Sequence, residues 1–69
     1  MKFGNILREL RQEKNLSQVQ LANKTGLSKS AIACWELSQS EPTAGALIIL
    51  AEFFDVSVDE LLGRKDYLR

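Results

Sequence analysis

Apolar side chains recur along this chain at helical intervals, in five blocks separated by polar punctuation. Phe3, Ile6, Leu7 and Leu10 fall at i, i+3, i+4 and i+7, one stripe of an amphipathic helix. Asn15 ends that block, because asparagine accepts the left-handed backbone that a helix terminus needs. Ser17 followed by Gln20 has the spacing of a capping box and predicts a second helix carrying Val19, Leu21 and Ala22 inward. Gly26 stops it. Ser28 is placed to cap a third helix, on which Ile32 and Trp35 stand three apart and face the core.

The segment LSQSEPT, residues 37–43, is polar, holds the single proline and reads as a loop. Thr43 is placed to cap a fourth helix with Leu47, Leu50, Ala51 and Phe54 at its apolar positions. Its run ALIILA, 46–51, is interrupted by Glu52, far short of the roughly 18–20 apolar residues of a membrane span, so it reads as a core helix. Asp55 turns the chain out. Ser57 and Glu60 make a second capping box, opening a short fifth helix with Val58, Leu61 and Leu62 that Gly63 ends. No stretch sustains strand-like alternation. The expectation is a compact all-α domain of five helices over residues 1–69, with its core in 3–63 and a short tail, 64–69.

Composition narrows the chemistry. The chain has 69 residues, near the lower limit for folding alone, and 45% are apolar, enough for one core and too many for a disordered tail. It has no histidine and one cysteine, Cys34, which leaves no internal disulfide, no zinc site and no Cys–His nucleophile. Glu9 and Glu13 lie one helical turn apart and read as a solvated face rather than a catalytic pair. An enzyme is not expected, nor a cofactor, a metal or a small-molecule ligand. The opening MKFGNILREL carries charges inside its apolar pattern and does not read as a signal peptide, so the expected location is the cytoplasm.

Formal net charge is zero, yet its distribution is uneven. Residues 1–35 hold six cations against Glu9 and Glu13, whereas residues 36–69 hold three against seven carboxylates. A chain split this way offers a basic face to a polyanion while its far side stays acidic.

The second and third helices have the spacing of a helix-turn-helix. Two helices that cross steeply through a short turn need a small side chain where they touch, supplied by Ala22. The turn itself needs a residue free to take positive φ, supplied by Gly26. Ile32 and Trp35 then face inward, and Lys29, Ser30, Ala33 and Cys34 are left outward. From Phe3 to Gly63, through ILRELRQEKNLSQVQLA, TGLSKSAIACWE and EPTAGALIILAEFFDVSVDELL, the sequence resembles the Cro/cI-type (XRE) helix-turn-helix family with the lambda-repressor-like fold.

That resemblance implies a sequence-specific, double-stranded DNA-binding transcriptional regulator, a repressor of phage or mobile-element type. It places Gln18 on a DNA phosphate, Lys29, Ser30 and Cys34 against base edges with Ser28 and Ala33 beside them, and Gln39 and Ser40 on the DNA backbone. Arg11 and Glu36 match a frequent ion pair joining the first helix to the end of the third. Lysine donates to guanine or phosphate and serine to several partners, while alanine and the thiol suit thymine methyls, so readout is expected to use shape and methyl contact more than bidentate bonds. Relatives commonly carry glycine where this chain has Asn15, Ser38 and Asp55. Serine is the poorest substitute of the three, and the loop after the third helix is expected to take a different path. The family commonly pairs through its fifth helix, which makes Leu62, Tyr67 and Leu68 candidates for a homodimer contact on a palindromic operator. A second class stays open, an antitoxin or protein-interaction module that keeps the fold with weak or no DNA binding.

Overall fold

A computed structural model of the protein describes residues 2–64. Among them are five helices: α1 (Phe3–Glu13), α2 (Gln18–Thr25), α3 (Lys29–Glu36), α4 (Ala44–Phe54) and α5 (Val58–Leu62). The described residues contain no strand.

Four of the helices start where a side-chain oxygen meets an otherwise unpaired backbone N–H. Ser17 Oγ accepts from Gln20 N at 3.0 Å while Gln20 Oε1 accepts from Ser17 N at 2.8 Å. Ser57 and Glu60 repeat that reciprocal box at 3.0 and 2.9 Å. Ser28 Oγ accepts from Ala31 N at 2.9 Å and Thr43 Oγ1 from Ala46 N at 3.1 Å. Each contact removes one orphan donor from a first turn.

The helix ends are equally local. After α1, α3, α4 and α5, a left-handed residue lets two successive N–H groups return to the last turn's carbonyls. Gly63 fills that place after α5 at φ 71°, and Asn15, Ser38 and Asp55 fill it elsewhere at φ 57°, 60° and 57°. The loop after α3 therefore turns as a glycine would make it turn, against the expectation of a different path. Ser38 N donates to Trp35 O at 3.1 Å and Gln39 N to Cys34 O at 2.9 Å, and these bonds hold a serine where its Cβ is unfavourable. Ser38→Gly removes that strain, worth about 1–2 kcal/mol, but loosens the unfolded chain by about 0.4–1 kcal/mol. The expected outcome is a net gain of roughly 0.5–1 kcal/mol, visible as a higher urea midpoint at unchanged slope.

Phe3, Leu7, Leu21, Ile32, Leu50 and Leu61 are almost wholly buried and come from all five helices, with Ala22, Trp35, Ala46, Ala51 and Phe54 completing the core. One inward assignment fails. Val19 is 52% exposed, because α2 turns Leu21 and Ala22 to the core and leaves Val19 on its outer side. In α4, Ala46, Leu50, Ala51 and Phe54 are buried, but Ile48 and Ile49 of the apolar run face outward. Leu62, a candidate for contact with a second copy, is half-buried against the core, and Tyr67 and Leu68 lie outside the described residues.

Candidate nucleic-acid interface

The third helix is fixed from behind and free in front. Ile32 is fully buried and Trp35 nearly so, with the Phe3 ring meeting the indole edge-on at 6.1 Å between centroids. One turn of chain, with Gly26 at φ 77°, links α2 to α3, and Ala22 is buried where the two pack. On the opposite face Lys29 and Ser30 are exposed, while Ala33 and Cys34 are half-buried. Ser28 is exposed, and its hydroxyl oxygen is engaged in capping. Gln39 and Ser40 are exposed in the loop that follows. Lys29, Ser30 and the edges of Ala33 and Cys34 thus share one open side of α3.

Behind that side sits Glu36, the single buried charged residue among those described. Arg11 grips its carboxylate with both arms, Nε to Oε2 at 2.7 Å and Nη2 to Oε1 at 2.9 Å, while its Nη1 donates to Leu16 O at 2.8 Å. The side chains are 13% and 2% accessible, respectively, so this pair is desolvated. Gln18 Nε2 adds a third donor to Oε1 at 3.1 Å. Gln18, expected at a phosphate, is therefore also tied to the end of α3, with its second N–H left to donate elsewhere.

Burial pushes the Glu36 carboxyl up, but the Arg11 and Gln18 hydrogen bonds and the charges of Arg11 and Arg8 outweigh it, holding its pKa below the ordinary 4.5. The hydrogen bond from Arg11 to Glu36 in turn raises the guanidinium above its ordinary value, against a smaller lowering by burial. A carboxyl depressed in the folded state contributes stability above its unfolded pKa and loses it as pH falls through the folded value. Stability is therefore expected to fall as pH drops below 4.5, and Glu36→Gln, less stable at neutral pH, to show a flatter acid limb. Urea midpoints from about pH 2 to 7, which take in the carboxylate range and the neutral plateau above it, measure both curves.

Two residues with a structural part in this face were not singled out by pattern. Gly4 lets α1 approach the last turn of α3, since a Cβ there would lie 2.4 Å from Trp35 O and 3.1 Å from Glu36 O. Arg8 Nη2 donates to Glu36 O at 3.0 Å. The signal was present in their spacing, because Gly4, Arg8 and Arg11 fall on one side of α1, but nothing in it named the partner. No group of three His, Cys, Asp or Glu side chains among the described residues is placed to hold a metal.

Two short helices at a glycine turn, the second anchored inward and open outward, define a helix-turn-helix domain. The helix-turn-helix family model matches residues 7–61, and the chain belongs to this XRE-type family. It is 38% identical over 68 residues to the HTH-type transcriptional activator BcrR of Enterococcus faecalis, covering 99% of this chain and 33% of that protein. The immunity repressor protein of Bacillus phage phi105 is 30% identical over 69 residues, 100% of this chain and 48% of its own length. Among solved structures, the restriction-modification controller protein C.AhdI from Aeromonas hydrophila superposes with a TM-score of 0.78 at 40% identity, covering 87% of this chain and 91% of that one. The chain spans a third to about half the length of these two curated relatives.

Proposed function

We propose that the protein is a sequence-specific, double-stranded DNA-binding transcriptional regulator, with α3 in the major groove. The observation that carries this is the single open side of α3, with Lys29 and Ser30 exposed beside Ala33 and Cys34 and with Ile32 and Trp35 locked behind it. Phosphate contacts from Gln18, Gln39 and Ser40 would supply affinity without sequence information, and the small residues would read shape and thymine methyls. Repression of a phage or mobile-element promoter is the mode we favour, supported by the name of the phi105 relative. BcrR is named an activator, and in this scheme the sign of control follows from where the operator lies. No helix among the described residues is long and apolar enough to cross a membrane, in keeping with action on DNA in the cytoplasm.

One domain covers few phosphates, so useful affinity at physiological salt calls for two copies on a palindromic site, their recognition helices about 34 Å apart. We assign that contact to the partly exposed edge of Leu62 and, from the sequence alone, to Tyr67 and Leu68. Sedimentation equilibrium of the chain with its operator would show two copies per site, and one copy at saturation would exclude this arrangement.

Enrichment of bound sites from random duplex DNA tests DNA binding directly. Lys29→Ala is expected to weaken binding to the selected site by roughly 5- to 100-fold and to relax preference at one base position. Fluorescence anisotropy at fixed salt measures it. Unchanged affinity and preference would remove Lys29 from the interface.

A further inference from the structure

Helix α3 is only two turns long, and its last four carbonyls must find partners where intrahelical donors run out. Three are met by the chain that follows: Ala33 O by Leu37 N at 3.1 Å, Cys34 O by Gln39 N at 2.9 Å and Trp35 O by Ser38 N at 3.1 Å. The fourth, Glu36 O, is met from another helix, by Arg8 Nη2 at 3.0 Å. Arg8 Nε also lies 3.7 Å from Glu36 Oε1, the oxygen that Gln18 and Arg11 share. Its cation therefore sits at the negative end of the α3 dipole and beside the one buried carboxylate, where both interactions favour it.

We infer that Arg8 is a positioning residue for DNA recognition: it fixes the C-terminal end of α3, and with it the angle at which the outward side chains meet base edges. Three contacts from one side of α1 act on that end together. Gly4 sets how closely the helices approach, Arg11 holds the Glu36 side chain, and Arg8 holds the Glu36 main chain. Core packing of Ile32 and Trp35 fixes the depth of α3, and in this inference rotation about their line of contact is what the Glu36 end must resist. Arg8 opposes that rotation because its bond is made to the backbone, so a change of rotamer at Glu36 does not release it. Without Arg8 the Glu36 carboxylate keeps both Arg11 bonds and Gln18, so no buried charge is stranded and the fold is expected to stand.

The inference rests on the DNA binding proposed above, and its test separates the two. Wild type and Arg8→Ala are titrated against the site selected by the wild type and against unrelated duplex, over a range of salt. Arg8→Ala is expected to bind the selected site about tenfold more weakly, as for loss of one charge-assisted hydrogen bond. Affinity for unrelated duplex and the slope of log affinity against log salt should stay at wild-type values. Arg8→Lys, which keeps one charged donor, should recover part of the loss. A slope lower by about 0.9, with both DNAs weakened, would make Arg8 a phosphate contact and overturn the positioning role. Unchanged affinity for the selected site would overturn it too. If Arg8→Ala does not fold, Arg8→Gln, with N–H donors and no charge, is judged by the same two outcomes. A wild type that selects no site overturns the proposed function and this inference together.

Discussion

Arg11→Met is expected to cost about 3–5 kcal/mol and to leave a substantial share of the protein unfolded at ambient temperature. The loss comes from what stays behind. Without Arg11, the Glu36 carboxylate keeps Gln18 at 3.1 Å and Arg8 at 3.7 Å, in a place where its side chain is 2% accessible. Leu16 O, which accepts from Arg11 Nη1, is left without that donor as well. The attraction within the pair barely exceeds the cost of desolvating it, so the pair adds little by its presence and much by being broken on one side. The double change Arg11→Met with Glu36→Leu should therefore cost less than the two single changes added together. Chemical denaturation of the four proteins measures the coupling. Single changes costing no more than about 0.5 kcal/mol, as at exposed pairs, would show that solvent reaches the site.

Gly4→Ala is expected to destabilise by about 1–3 kcal/mol, although alanine is the better helix former by roughly 1 kcal/mol. The added methyl would lie 2.4 Å from Trp35 O, 3.1 Å from Glu36 O and 3.2 Å from Ser38 Oγ. Two of those atoms are backbone and do not swing aside, so α1 and α3 must part, opening the Phe3–Trp35 contact and stretching the Arg8 bond to Glu36 O. Gly45→Ala is the matched control. Gly45 is exposed on α4, its nearest neighbour to an added Cβ is Thr43 Oγ1 at 4.0 Å, and there the same substitution should stabilise by about 0.5–1 kcal/mol. Each kcal/mol moves the melting temperature of a domain this small by about 4–8 °C, so thermal scans resolve both signs. A Gly4→Ala protein melting at or above the parent would mean that α1 yields without loss.

By itself the sequence determined the number of helices and where they begin and end. Those features are local: Ser17, Ser28, Thr43 and Ser57 each satisfy a donor three residues on, and Gly26, Asn15, Asp55 and Gly63 each supply the left-handed turn that closes a helix. It also determined the inward side of α3, because Ile32 and Trp35 stand among polar and small residues and leave one apolar stripe. Tertiary structure decided the rest. In α4 the pattern placed Leu50, Ala51 and Phe54 inward, as they are found, but Ala46 to Ala51 is apolar on every side, and only the neighbouring helices leave Ile48 and Ile49 outside. Val19 fell outside for the related reason that one apolar residue on a polar helix does not define a face. Gly4 and Arg8 read as an ordinary glycine and a surface cation until packing brings Glu36 O within reach of both. Their significance depends on a main-chain carbonyl some thirty residues away, and a carbonyl leaves no mark on the sequence.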